Sequence, residues 1–289
     1  MRPTRNRDKK MKRLILMTVS ALFCGVVLTN CDSNLEMWSD EVNTCYSTYN
    51  EHIKSISTNG TIIHKYLYDH SGKIVEENCM YYFKRYLYDK NENLVKVESA
   101  FDRSGLSSFV IPERRTEFMT SKNSVIDSYN LYKYDNNGRL LKIESYFNET
   151  GKDLEYRSMQ TFEYEGTNIT KVNLHEPNGQ ITQYHVYTYD NYGNVSNEKH
   201  YSNLFGSKDE LISEIFYKYD NYKNPYQIFS ILGSPGLYCN TNNIIETTTI
   251  RHYEVPGFDE NSRSKTTYQY KNEYPVKEIT DNSEFEYNY

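Results

Sequence analysis

The feature that most constrains this chain is a four-residue word, aromatic–x–Tyr–acid, that keeps returning. It reads YLYD at Tyr66–Asp69 and Tyr86–Asp89, YKYD at Tyr132–Asp135, FEYE at Phe162–Glu165, YTYD at Tyr187–Asp190, YKYD at Tyr217–Asp220 and YQYK at Tyr268–Lys271. FEYN (Phe285–Asn288) reads as a truncated eighth copy. The first seven are spaced by 20, 46, 30, 25, 30 and 51 residues, and the two long gaps leave room for a degenerate copy near Phe118 and another near Tyr253.

Side chains two apart share one face of a strand. The acid that follows suits the first position of a type I turn, where a carboxylate accepts from nearby backbone N–H groups. Gly72, Gly138 and Gly193 fall three residues after the acid, where a bulged hairpin turn needs positive φ. Glu92, Lys223 and Tyr274 occupy that place elsewhere, so those turns are expected to differ in type, whereas Asn168 suits it. Short apolar strands follow, such as Leu140, Leu141 and Ile143, and second turns (DRSG, NETG, EPNG) separate the copies. With no sustained 3.6-residue apolar period, the pattern predicts an all-β antiparallel meander, two strands and two turns per copy. Thirty tyrosines give it body: Leu, Ile, Val and Phe make up only about a fifth of the chain, but Tyr buries a large ring while keeping a polar tip.

These words resemble the YD (RHS-type) repeat, and more closely the YD-repeat-like putative lipoproteins of Bacteroidetes-type bacteria, whose function is unknown. The resemblance covers residues 62–289. In large relatives many repeats roll into a closed shell. Seven or eight copies are too few for that on this reading, so the expectation is an extended, twisted or partly rolled open sheet.

The front end reads as an export signal. Lys12 and Arg13 precede a mostly apolar run, Leu14 to Leu28, too short for a membrane span of about 20 residues. Met11 offers a second start. LTNC (Leu28–Cys31) resembles a lipobox, which implies lipid attachment at Cys31; Asn30 departs from the small residue usual there. The division expected is a signal at 1–30, a tether at 31–45 and a repeat domain at 46–289. Loss of residues 1–30 leaves 26 cationic and 38 anionic side chains, a balance of −12. Such a chain is no nucleic-acid binder, since phosphate neutralisation needs clustered cations. Cys45, Cys79 and Cys239 remain, an odd number at spacings that match no zinc pattern.

One segment, 223–245, breaks the rhythm. Pro225 and Pro235 exclude a regular central strand, and NPY followed by an apolar run resembles an insertion in the same short lipoproteins. Ile228, Phe229, Ile231 and Leu232 suit a cap over one end of the sheet; the functional alternative is a loop presenting Tyr226, Tyr238, Asn240, Asn242 and Asn243 to a ligand. Seven scattered histidines show no ligand spacing, GSPG (Gly233–Gly236) is not a nucleophile elbow, and nothing singles out two carboxylates for hydrolysis. No catalytic residue, metal or cofactor is expected. The sequence points to a lipid-anchored, outer-membrane, non-catalytic module that binds glycan or protein. The alternatives are a polysaccharide-acting hydrolase and an accessory protein of a toxin system.

Overall fold

A computed structural model describes residues 52–102, 117–148, 153–203, 209–253 and 258–289. The signal, Cys31 and the tether lie outside the described residues. The strands, in chain order, are β1 (Ser55–Thr58), β2 (Thr61–Tyr68), β3 (Ile74–Cys79), β4 (Tyr82–Tyr88), β5 (Leu94–Phe101), β6 (Ser128–Tyr134), β7 (Leu140–Phe147) and β8 (Glu155–Glu165). They continue as β9 (Asn168–His175), β10 (Ile181–Tyr189), β11 (Val195–Ser202), β12 (Glu210–Lys223), β13 (Asn242–Arg251), β14 (Glu260–Lys271), β15 (Tyr274–Thr280) and β16 (Glu284–Asn288). Each pairs antiparallel with its sequence neighbours, and β1 pairs with β16 through Ser55↔Asn288, Ile56↔Tyr287 and Ser57↔Glu286.

The sheet is therefore a closed sixteen-strand barrel, which corrects the expected open sheet. Every word lies on an even-numbered strand; all but the sixth and the last lead directly into a hairpin, and pairing of β16 with β1 removes both free edges. The eighth word is corrected too. Tyr287, opposite inward Ile56, and Tyr289 take the two aromatic places, so the frame is Tyr287–Asn288–Tyr289 rather than Phe285–Asn288. The long gaps hold no extra strand among the described residues: Phe118 lies in a strandless segment before β6, and Tyr253 follows β13.

Both aromatics of a word face the lumen. Tyr66, Tyr86, Tyr132, Phe162, Tyr187 and Tyr287 form the buried core with Ile74, Leu94, Leu140 and Val195, which open the next strands. The second tyrosine has a separate task. The ladder between consecutive hairpins stops short of the plugged end described below; β7 and β8, for example, pair last at Lys142↔Thr161. There Tyr164 Oη donates to the Leu140 carbonyl at 2.8 Å. The same bond joins Tyr68 to Ile53, Tyr88 to Ile74, Tyr134 to Leu94, Tyr189 to Ile169, Tyr219 to Val195 and Tyr289 to Pro275, all at 2.7–2.9 Å. Each hydroxyl thus satisfies a main-chain acceptor beyond the reach of the ladder.

The acids build the turns as expected. Asp69, Asp89, Asp135 and Asp190 each accept on Oδ1 from the N–H groups two and four residues on, at 2.8–3.0 Å. Glu92 is a correction: it adopts φ 68 and completes the same turn that glycine completes elsewhere, while its carboxylate reaches Lys73 at 2.7 Å. Asn272 and Glu273, both at positive φ, form a two-residue turn before Tyr274.

The outer wall is charged. Cross-strand pairs include Arg85–Glu98, Lys133–Glu144, Lys171–Glu163, Lys199–Glu214 and Lys218–Glu246. A smaller cluster, Phe83, Ala100 and Met119 with Ile126, packs where residues 117–127 cover the outside of β3–β5.

The backbone N–H of Arg139, followed by its side chain, holds the Asp135 carboxyl below its usual range. A depressed folded pKa gives stabilisation that is present above the unfolded value, about 3.9, and is lost as pH falls through the folded one. Asp135→Asn keeps an oxygen acceptor and removes the titration. Urea midpoints measured from pH 7 to pH 2 should fall less steeply below pH ~4 in this variant than in the wild type.

Candidate functional site

The sixth word lacks its turn. Between β12 and β13 the chain instead folds inward as a plug: a 3-10 helix, η1 (Pro225–Leu232), and one turn of α-helix, α1 (Pro235–Tyr238). Both prolines stand at the first helical positions, where the missing N–H costs nothing. Asn224 caps η1 by accepting from Tyr226 N at 2.9 Å, and Gly233 ends it at φ 69. A Cβ on Gly233 would lie 2.7 Å from Leu140 Cδ2 and 3.0 Å from the Phe162 ring, and its φ of 69 is one that L side chains rarely adopt, so glycine fits this approach to the wall best. Phe229, 4% exposed, sits at the centre with its ring 5.5 Å from that of Tyr66 and 5.6 Å from that of Tyr238.

The five residues expected on a ligand-presenting loop belong to this plug and its base. Tyr226 Oη donates to Tyr287 Oη at 3.2 Å inside the barrel, and Tyr238 packs against the core. Asn240 is fully buried: its Oδ1 accepts from Val195 N at 2.9 Å and Tyr219 Oη at 3.0 Å, and its Nδ2 donates to the Gly236 carbonyl. Asn242 exchanges two bonds with the Asn194 side chain, each at 3.0 Å. Asn243 donates to the carboxylate of Asp220. The aromatic pair thus meets around Phe229, and the three asparagines fasten the segment to the wall.

Three inward glutamates carry no mark in the repeated word. Glu77, Glu198 and Glu278 stand directly across from Tyr66, Tyr187 and Tyr268, where other repeats place Val97, Ile143 and Val172. Aligning the second strand of each repeat would have exposed them, since Glu77 and Glu198 lie eight residues after the acid, as Val97 and Ile143 do. Glu77 meets Lys84 at 3.0 Å and accepts from Tyr82 and from Tyr86, the latter at 3.1 Å. Burial pushes its carboxyl up, but the Lys84 ammonium and the hydrogen bonds from His64 and Tyr82 outweigh that and hold it well down. Glu198 accepts from Tyr217 at 3.0 Å and lies 2.8 Å from His185, whose ring stacks on His200 at 4.4 Å. Burial, then the neighbouring His185, lowers His200 to about 4, so it is neutral at pH 7. Glu278 accepts from the Tyr287 hydroxyl, and burial raises its pKa. Among the described residues no group of three His, Cys, Asp or Glu side chains is placed to hold a metal ion.

A half-enclosed cavity of about 670 Å³ lies between the plug and the wall at this end. Its wall carries the second tyrosines of four words, Tyr88, Tyr134, Tyr164 and Tyr189, over the apolar residues that open the neighbouring strands. Ile228, Ile231 and Ser230 of η1 form the floor. Cys239 also lines it, with burial pushing its thiol up to about 11. That thiol is protonated at neutral pH and is a poor nucleophile.

No protein-family model matches the sequence, and no curated protein does. Solved structures similar to this chain include the following three. A porin-like protein from Bacteroides vulgatus shares 10% identity at a TM-score of 0.49, covering 82% of this chain and 98% of that one. A porin-like protein from Bacteroides uniformis shares 11% at 0.35, covering 74% and 91%. A chain of a TcdB2–TccC3–Cdc42 complex shares 14% at 0.33, covering 78% of this chain and 12% of that one.

Two substitutions test the plug and its surroundings. Gly233→Ala should destabilise the protein by about 1–3 kcal/mol and make residues 224–241 cleavable in limited proteolysis. Glu278→Gln should raise the urea midpoint at pH 7. The penalty it removes is absent below the unfolded carboxyl value, about 4.3, and complete once pH has passed the raised folded one, so the gain should vanish toward pH 4.

Proposed function

We propose that this chain is a non-catalytic binding protein of the outer membrane, tethered through a lipid on Cys31, with its barrel in water and its ligand held in the plugged mouth. The cavity of about 670 Å³ carries the reading, because it falls within the roughly 300–1,000 Å³ typical of small-molecule sites. Its lining favours binding over reaction: the four tyrosine hydroxyls are donated to carbonyls, and the one thiol is protonated.

The wall supports a barrel that does not span lipid. A membrane barrel is apolar outside and polar within, and each Lys or Arg at mid-bilayer costs about 2–4 kcal/mol. Here Lys133, Lys171, Lys199 and Lys218 point outward, while the rings of the repeated words face inward. The described chain begins at the plugged end, where Tyr68 bonds the Ile53 carbonyl, which supports a tether that would join the protein beside the mouth.

A second reading, a glycan or protein gripped by the outer wall, has one observation in its favour. Tyr129, Tyr146 and Tyr156 lie opposite one another on adjacent strands β6, β7 and β8, and the last two rings meet at 5.1 Å.

Cells fed labelled palmitate should label the wild type and not Cys31→Ala. Residues 32–289 should elute as a monodisperse species in detergent-free buffer; aggregation that only detergent relieves would argue for a lipid-facing wall. A glycan array with Tyr146→Ala and Tyr156→Ala separates the two sites, since only a wall-bound glycan would be lost.

A further inference from the structure

The geometry points to an amphiphile with a single acyl chain as the ligand of the mouth cavity, its chain along the plug and its polar end at the rim. This deepens the binding reading above and rests on it.

The four tyrosines of the wall offer a ligand no free donor, and the neutral polar side chains of the lining, Ser71, Asn93, Thr167, Asn168, Gln227 and Ser230, stand around them. Tyr88, Tyr134, Tyr164 and Tyr189 are the side chains best suited to greet hydroxyl groups, yet each gives its only proton to a backbone carbonyl at 2.8–2.9 Å. Their carbon edges, together with the aliphatic residues beneath them, give a ligand a continuous apolar wall. The rim cations are engaged as well: Lys73 pairs with Glu92 at 2.7 Å, and Arg139 with Asp135 at 2.8 Å. Among the described lining residues, then, the Lys and the Arg are each opposed by a carboxylate rather than open to a phosphate or sulfate. The floor shows the converse demand. Ile231 lines the cavity and is still 36% exposed, and Ile228 beside it is half-buried. Covering apolar surface is worth roughly 25 cal/mol per Å², so an aliphatic chain is the occupant that gains most here. Because the cavity is half-enclosed, it leaves the polar end of such a molecule in water.

The same chain chemistry has two sources, a free amphiphile or the acyl group on Cys31 of the protein itself. Both are distinguished with cis-parinarate, a fluorescent fatty acid, titrated into the full-length wild type and into Cys31→Ala. Equal saturable binding by both, with displacement by palmitate, identifies a free ligand. Binding by Cys31→Ala alone identifies the protein's own acyl group. Ser230→Trp fills the floor and should weaken parinarate binding by about tenfold or more. Gln227→Trp, on the exposed side of η1, serves the same purpose if Ser230→Trp does not fold. The proposal is overturned if neither protein binds parinarate, or if binding survives both fillers in proteins with wild-type circular dichroism. A saccharide hit blocked by the same fillers would sink the acyl class while leaving a binding mouth in place.

Discussion

Seven tyrosine hydroxyls, each given to a carbonyl at the start of the preceding strand, hold the barrel together where its backbone ladder runs out. A sixteen-strand barrel must separate its hairpins somewhere if one end is to admit a folded segment. Each separation strands a main-chain acceptor, and an unsatisfied buried carbonyl costs about 1–3 kcal/mol. A phenol is long enough to cross the gap and apolar enough to pack beside its neighbours, so one residue type both satisfies the acceptor and fills the lumen. Tyr219 shows how these demands converge, since its hydroxyl serves the Val195 carbonyl and the plug's Asn240 together.

That arrangement decides which side of the wall is dry. With both rings of every word turned inward, the alternate positions are left for Lys, Glu and Arg, which pair across strands on the outside. The lumen is accordingly a core with a plug in it rather than a channel. Its few buried carboxylates sit where repeats differ from one another. Glu77 has an ammonium beside it and stays ionised; Glu278 has a phenol and resists ionisation. The mouth cavity survives between plug and wall because η1 packs by Phe229, while Ile228, at the edge of that core, and Ile231 line the cavity.

Much of the local structure was legible in the word itself. The Tyr–x–Tyr spacing identified one face, the acid and glycine identified the turn, and the two prolines marked a break in the strands. Glu92 escaped this reasoning because a turn shared by its neighbours can hold a residue at φ 68 against its own preference, at a cost of about 1–2 kcal/mol. The final word was misframed by two residues, since only its partner across the seam, Ile56, shows which aromatics face inward. The inward glutamates were hidden for a related reason. They belong to the second strand of each repeat, whose register depends on the length of the turn before it, so Glu278 falls seven residues after Lys271 while Glu77 falls eight after Asp69.

The sequence alone determined that this chain would be a serial antiparallel sheet, with aromatic pairs on one face and acid-led turns between strands. These are consequences of side-chain alternation and of hydrogen bonds spanning at most four residues. Only the tertiary structure decided that the sheet closes, that the aromatic face is the inner one, and that 224–241 turns into the lumen. Closure joins Ser57 to Glu286 across 229 residues, and whether such ends meet depends on twist and stagger summed over all sixteen strands. No single repeat contains that sum, so no reading of the repeats one by one could supply it.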